Sequence, residues 1–279
     1  MHFYTYDDWI AHAYSTVDAR TIIKGQTKVI DLSDEISVHS GQYATLNISS
    51  GYNPINSVKS TYAGRPSLTF SSSNIDCDLG CLYKLKDSTS VPEGNKYGKK
   101  GCIQVLGNSI GSNDQFLDSF PYIRLFQPGV DKYNDADVVN EETISIDLTQ
   151  FSMFDKILVF QSIYSGAISF QEAETNLKFR FGSYLVTTSQ EEQKDYQYII
   201  NTNLYSATSL MIVGALLTFE TSRQGNNTKY LLTIENISEF VYGHVDMDEK
   251  YDWNLLWKGF VPSKNAKVMP SSIMHYSKN

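Results

Sequence analysis

The chain lacks the features that mark several common protein classes. It has only 3 cysteines among 279 residues. A small, odd number of cysteines argues against a disulfide framework and favours free thiols in a reducing compartment. The most apolar run, residues 210–219, is about half as long as a membrane-spanning helix. The first residues have neither the basic nor the apolar region of a secretory signal. We therefore expect a cytoplasmic protein.

The sequence also lacks a basic stripe. Its formal net charge is −8, from 31 acidic residues against 23 Lys and Arg residues. This balance gives little electrostatic support to nucleic-acid binding, so we expect no nucleic-acid partner. An acidic chain is compatible with cation binding, although acidity on its own mainly indicates solubility.

Catalytic motifs are absent as well. No G-x-S-x-G turn, P-loop or G-x-G-x-x-G between strand and helix occurs. Of the five histidines, only His244 lies in a dense apolar segment, and no companion nucleophile is visible. Cys77, Cys81 and Cys102 lack a fourth ligand at a familiar metal-binding spacing. We predict a protein that is not an enzyme. The alternative is an enzyme that acts on a small polar or nucleotide-like ligand in a pocket between the loops. The sequence shows no nucleophile or base to support this alternative.

What the chain does contain is short segments of β character. Tyr is abundant, with 19 residues, and long helical patterns are missing. Alternating or continuous apolar segments between polar turns predict an all-β sandwich with a short N-terminal helical segment. The predicted strands span residues 27–32, 42–48, 67–70, 76–86, 102–106, 121–126, 143–148, 155–164, 177–186, 210–219, 229–234 and 253–257.

Three parts of the chain differ in pattern. Residues 1–20 carry apolar side chains at helical spacing and predict a segment that packs on the body or pairs with another subunit. Residues 21–262 form the predicted sandwich, in which the apolar run 155–164 predicts a central strand. A short helix is predicted over Ile237–Asp246. Residues 263–279 form a polar tail.

The most informative stretch runs from Asp76 to Lys86. Strict alternation places Asp76 and Asp78 on one face of a strand and Cys77 and Leu79 on the other. Two carboxylates on one strand face lie about 7 Å apart and repel each other unless a cation lies between them. Calcium suits them because it takes roughly six to eight oxygen ligands. The alternative is a solvated, exposed face.

Six segments together resemble the tellurium-resistance TerD superfamily, and within it the TerA-like branch. Each segment matches a family motif, and their order and spacing cover roughly residues 24 to 259. The six are Lys24-Gly25-Gln26, residues 76–87 with the D-x-D-L pattern, residues 101–111, residues 121–125, residues 155–167, and residues 247–257 with the closing tryptophans.

The resemblance implies a calcium-binding β-sandwich found in stress-response or resistance systems. It also implies a non-enzymatic scaffold that assembles with related Ter-family proteins or with itself, and contacts membranes peripherally. Carried over onto this chain, it implies five metal ligands, with backbone carbonyls and water completing the shell. These ligands are Asp76, Asp78, Asn108, Asp131 and Glu142.

One family segment is replaced here. After Leu125 the branch expects an acidic stretch, whereas this chain has Phe126-Gln127-Pro128-Gly129. Carboxylates return only at Asp131 and beyond. The site is therefore intact, rebuilt from neighbouring acidic residues, or lost. In the last case the chain would be a metal-free structural or protein-interaction module.

Overall fold

In the computed structural model, most of the alternating segments form antiparallel strands. The structure describes residues 19–33, 36, 44–51, 76–95, 98–103, 117, 119–126, 142–165, 170, 173–183, 196–204, 211–225 and 227–240. Eleven strands lie in this part of the chain. They are β1 (Thr27–Asp31), β2 (Ala44–Gly51), β3 (Asp76–Leu85), β4 (Lys100–Ile103), β5 (Ile123–Phe126), β6 (Glu142–Asp147), β7 (Phe154–Ser165), β8 (Asn176–Ser183), β9 (Tyr198–Ile200), β10 (Met211–Gln224) and β11 (Asn227–Phe240).

The strands form two antiparallel sheets. The first has the order β1-β11-β10-β7-β3-β4, and the second has the order β5-β6-β2-β8-β9. β7 lies between β10 and β3, which confirms its predicted central position. The all-β prediction is confirmed.

The two sheets share one hydrophobic core. Along β3 the alternate residues Leu79, Cys81, Tyr83 and Leu85 point into it, as the two-residue period requires. β6 contributes Ile144 and Ile146 in the same way from the opposite sheet. Burying a large apolar side chain stabilises the fold by about 1.5–3 kcal/mol. This shared core therefore holds the two sheets together as a sandwich.

One end of the sandwich is closed by aromatic rings. The 3-10 helix Leu148–Met153 follows β6 and carries the buried Phe151. The Phe151 ring lies 5.0 Å from the ring of Phe219 and 5.5 Å from that of Tyr230, both in edge-to-face geometry. Phe154, the first residue of β7, lies 5.2 Å from Phe219. Edge-to-face pairs are favourable beyond their area burial. We call this the aromatic end.

The segment before β1 bridges the edges of both sheets. Arg20 and Ile22 exchange backbone hydrogen bonds with Ile199 of β9. A turn then carries the chain to β11, where β1 pairs. Gly25 occupies the left-handed region at φ 77°, a conformation that glycine adopts without steric cost. The backbone N–H of Gly25 donates to Asn236 at 2.8 Å.

Two side chains fasten this segment to β11. Asn236 Nδ2 donates to the carbonyl of Ile22 at 2.6 Å and is buried. Lys24 Nζ donates to the carbonyl of Ser238 at 3.0 Å and pairs with Glu239 at 2.9 Å. The Lys24-Gly25-Gln26 motif therefore has a structural role: it joins the two sheets along one side.

One secondary-structure prediction is wrong. Residues 237–240, the start of the predicted helix Ile237–Asp246, belong to β11 instead. A bulge opposite Gly214 absorbs the irregular pattern, with Val213 facing Glu239 and Ala215 facing Asn236. Strand pairing with β10 therefore overrides the local helical pattern.

Several predictions lie outside the described residues. These are the helical segment 1–18, the strands 67–70 and 253–257, the rest of the predicted helix, and the tail 263–279.

Candidate functional site

Four strand ends meet at one corner of the sandwich, opposite the aromatic end. β4 runs antiparallel to β3, so its last residue, Ile103, lies beside Cys81 and towards the start of β3. β5 runs antiparallel to β6, so its last described pair, Phe126 and Thr143, lies next to Glu142. Within the described residues, β3 and β6 therefore begin beyond the last residues of β4 and β5. We call the residues 76–80 and Glu142 the acidic corner.

Glu142 connects the two sheets at this corner. It alternates with Ile144 and Ile146, so its side chain points inward, and only 7% of it is exposed. Its Oε2 accepts a hydrogen bond from the backbone N–H of Leu79 in β3, at 2.5 Å. In the described part of the chain, the first residue of β3 that pairs with β4 is Cys81. The carboxylate therefore binds a backbone donor two residues before the first described β3–β4 pair.

Asp78 is buried next to this contact. It is 7% exposed and lies on the face of β3 opposite Leu79, across from Ser162 of β7. The alternative that this face is solvated is therefore wrong for Asp78. A buried carboxylate is costly unless hydrogen bonds or a cation compensate its charge. β3 thus carries one buried carboxylate, that of Asp78, and the next residue, Leu79, donates a hydrogen bond to a second, that of Glu142.

The structure places the other predicted ligands less completely. Asp76 is the first residue of β3, opposite Ser165, and its side chain lies outside the described part. Asn108 and Asp131 also lie outside it. Each follows a strand that ends at the corner by five residues, Ile103 and Phe126 respectively. Five extended residues reach at most ~17 Å.

No complete metal centre is formed by the described residues alone. Among them, no group of three or more His, Cys, Asp or Glu side chains is placed to hold a metal ion. Asp78 and Glu142 are the two predicted ligands whose side chains the structure describes, and both are buried, one in each sheet. Both offer the hard oxygen donors that calcium prefers.

A buried polar layer lies beneath Glu142, and the sequence analysis missed it. Ser50 of β2 lies directly opposite Glu142 in the register of the second sheet. Gln161 of β7 donates through Nε2 to Ser50 Oγ at 2.7 Å and to the carbonyl of Asn176 at 3.1 Å. Both Ser50 and Gln161 are fully buried. The signal was present in the sequence, because Gln161 interrupts the apolar run 157–163.

The layer continues into the turn at residues 173–175 and the one-turn 3-10 helix Thr202–Leu204. Thr202 Oγ1 donates to Gln161 Oε1 at 2.8 Å and lies 2.7 Å from Thr175 Oγ1. Both threonines are fully buried. The backbone N–H of Asn203 donates to the carbonyl of Thr175 at 3.0 Å. Gln161 thus joins both sheets and both turns.

A further buried aspartate at the aromatic end has a purely local role. Asp147 Oδ1 accepts from the backbone N–H of Thr149 at 2.8 Å and from its hydroxyl at 2.7 Å. It thereby caps the 3-10 helix. Burial raises the pKa of the Asp147 carboxyl, and the bonds from Thr149 oppose that rise. Asp147 shows that burial of a carboxylate does not by itself identify a binding site.

The three thiols do not form a common site. None of the three is in a disulfide bond, and all three are buried. Cys81 and Cys77 lie on the inner face of β3, four residues apart, a separation of about 13 Å. Cys102 pairs with Leu82, so it lies on the other face of the sheet. Burial raises the pKa of the Cys81 thiol well above its usual range, so it stays protonated and unreactive.

The structure also bears on membrane insertion. In the described part of the chain, no helix has both the length and the apolar composition needed to cross a bilayer.

Comparisons with known proteins give the chain no family. No protein-family model matches it, and no curated protein does. Among solved structures, protein SAV2460, of unknown function, aligns at 13% identity with a TM-score of 0.36, covering 72% of this chain and 93% of that one. SCO6318 from Streptomyces coelicolor A3(2), a homologue of telluride resistance protein TerD, aligns at 12% identity with a TM-score of 0.36, covering 71% and 92%. Likeness at this level establishes neither family nor function.

Proposed function

We propose that this chain is a non-enzymatic, calcium-binding β-sandwich module of the TerA-like kind, which assembles with related Ter-type proteins or with copies of itself. The observation that carries the proposal is the acidic corner. Asp78 and Glu142 are both 7% exposed, and they come from different sheets. The motif resemblance of residues 24–259 supports the same reading.

The donor chemistry at the corner fits calcium. A carboxylate has about four lone-pair sites, so Glu142 can bind a cation and keep its bond to Leu79. Asp78 supplies a second carboxylate, and Asp76, Asn108 and Asp131 are the further candidates. When bound, the cation would compensate negative charge that burial makes costly.

The geometry suggests how binding would lead to assembly. Donors from both sheets would be joined by one ion, so the ion favours the arrangement of the corner that brings them together. A ligand that binds only this arrangement stabilises it by mass action. We propose that the ordered corner is the surface that contacts the partner.

Thermal unfolding tests the calcium step. Wild type, Asp78→Asn and Asp147→Asn are unfolded in EGTA and again in millimolar calcium. Calcium at 100 times its dissociation constant adds about 2.7 kcal/mol of stability, or roughly 5–10 °C in Tm. We expect this shift in wild type and in Asp147→Asn, and its loss in Asp78→Asn. Both substitutions neutralise a buried aspartate, and only one of these lies at the corner.

Sedimentation velocity tests the assembly step with the same samples. We expect wild type to sediment faster in calcium than in EGTA, and Asp78→Asn to be insensitive. A calcium-dependent Tm shift without any change in sedimentation would support the metal site and contradict calcium-dependent self-association.

A second candidate function has its own supporting observations. Glu142 already has a structural role through Leu79, and the stretch Phe126-Gln127-Pro128-Gly129 lacks the carboxylates expected there. Both fit a metal-free interaction module that has kept the sandwich and lost the ion. The absence of a calcium shift in all three proteins would favour it.

A further inference from the structure

The acidic corner is part of a closed ring of four residues, two from each sheet. Glu142 and Ser50 face each other in the second sheet, and Leu79 and Gln161 face each other in the first. Two hydrogen bonds between the sheets complete the ring, from Leu79 to Glu142 and from Gln161 to Ser50. The position of Glu142 therefore depends on contacts in both sheets.

Gln161 is the member of the ring with contacts beyond it. The side chain is fully buried in a strand whose inward neighbours Val159 and Ile163 are apolar. A polar group in that setting is costly unless it is hydrogen-bonded. Its amide nitrogen donates to Ser50 and Asn176, and its oxygen accepts from Thr202. These three contacts fix its orientation, and they join the ring to the turns.

We infer that Gln161 is a positioning residue for the acidic corner, and that through Thr202 and Thr175 it transmits the state of Glu142 to the turns at residues 173–175 and 202–204. In its calcium-dependent part, the inference rests on the proposed function. The ring itself is formed by the protein alone. A module built in this way responds to its ion at the corner and also at the segments that precede β8 and follow β9.

Amide hydrogen exchange in EGTA tests this transmission without metal. The reporter is the Asn203 amide, which donates to Thr175. Glu142→Ala removes the acceptor for Leu79, and we expect Asn203 to exchange about ten-fold faster. In a Gln161→Leu background, Glu142→Ala should add nothing further. Two outcomes overturn the inference: no change at Asn203 in folded Glu142→Ala, or an equal change with and without Gln161.

Ser49→Ala is the matched control. Ser49 lies on the same β2–β6 pair, but its hydroxyl contacts Thr143 at 2.9 Å on the outer face. Removing it should leave Asn203 exchange within about two-fold of wild type, because this contact lies outside the ring. An equal acceleration by Ser49→Ala would mean general loosening of the pair, and would also overturn the inference.

A reciprocal measurement covers the case in which Glu142→Ala does not fold. Coupling between two sites acts equally in both directions. Thr202→Val removes the hydroxyl bonded to Gln161, and should accelerate exchange of the Leu79 amide at the corner. Unchanged Leu79 exchange in this variant overturns the inference.

Calcium added to wild type separates the inference from the proposed function. If both hold, calcium slows Asn203 exchange in wild type and does not slow it in Gln161→Leu, each measured at a calcium concentration that saturates that protein. If calcium changes neither Tm nor Asn203 exchange, while Glu142→Ala still accelerates Asn203 exchange, the transmission is supported and calcium binding is contradicted. If calcium raises Tm but Asn203 responds neither to calcium nor to Glu142→Ala, calcium binding stands and the transmission fails.

Discussion

The two ends of the sandwich contain different kinds of buried side chain. At the aromatic end, Phe151, Phe154, Phe219 and Tyr230 pack against one another, and the buried Asp147 caps the 3-10 helix beside them. At the other end, Glu142 and a layer of hydroxyl and amide side chains lie between the sheets, beside a small apolar cluster. At the aromatic end the buried carboxylate has a local partner in Thr149. At the acidic end the buried polar groups link one sheet to the other.

We propose that this difference separates the end that mainly stabilises the fold from the end that binds a ligand. The aromatic rings stabilise the fold through the apolar area that they bury and through their edge-to-face contacts. Polar closure has to satisfy every buried donor and acceptor, and a half-satisfied network is worse than an apolar one. Sequences keep such costly groups mainly where binding needs them. The acidic corner is therefore the end at which we place ion binding.

The largest expected effect lies at the aromatic end. Phe151→Ala should cost about 3–5 kcal/mol of unfolding free energy, because it leaves a cavity beside the rings of Phe219 and Tyr230. Urea unfolding measures this loss. The calcium-dependent Tm shift should survive in the variant if it remains folded. Loss of that shift together with the stability would contradict the separation of the two ends.

The next effect lies at the acidic corner. Glu142→Ala leaves the buried N–H of Leu79 without its acceptor and should cost roughly 1–3 kcal/mol in EGTA. Glu142→Gln keeps an acceptor oxygen and should cost less than Glu142→Ala in the same urea titration. We expect Glu142→Gln to lose the calcium response while keeping most of the stability. If the two variants were equally unstable, the charge of Glu142 would matter to the fold itself.

The smallest effect is a pH dependence at Asp147. Burial raises the pKa of this carboxyl in the folded state, so the folded protein binds the proton more tightly than the unfolded chain. The contribution of Asp147 is then most favourable below its unfolded pKa, and it is lost as the pH rises through the raised folded pKa.

Asp147→Asn removes that titration. Its stability relative to wild type should therefore increase as the pH is raised from about 4 to 7, in urea titrations done without calcium. An opposite slope would mean that the bonds from Thr149 outweigh burial at this site.

Much of the fold was predictable from periodicity. The alternation of β3 and the apolar run of β7 are local signals, and both strands formed where they were expected. β9 was missed because three residues, Tyr198–Ile200, are too few to show a period. The predicted strand 229–234 is shorter than β11, which runs from Asn227 to Phe240. The missed part contains a bulge, in which Ser238 takes a left-handed backbone conformation at φ 40°. Such a bulge breaks the two-residue period, so the sequence pattern does not show that the strand continues.

The candidate site was predictable only in part. Asp78 and Glu142 stood out as acidic residues, but nothing in the sequence places Glu142 against the backbone of Leu79, 63 residues away. Lys24 and Ser238 meet across an even larger separation of 214 residues. Gln161 carried a readable signal, a polar residue within an apolar strand. Its partners, however, come from three other segments that only the fold brings together.

A calorimetric calcium titration of chelator-treated protein tests the central claim most directly. The comparison is between wild type, Glu142→Gln and Asp147→Asn. If the acidic corner binds calcium, wild type and Asp147→Asn give matching saturable isotherms, and Glu142→Gln gives a much weaker one or none. Equal binding by all three proteins would place the ion elsewhere, and no binding by wild type would make this chain a metal-free module.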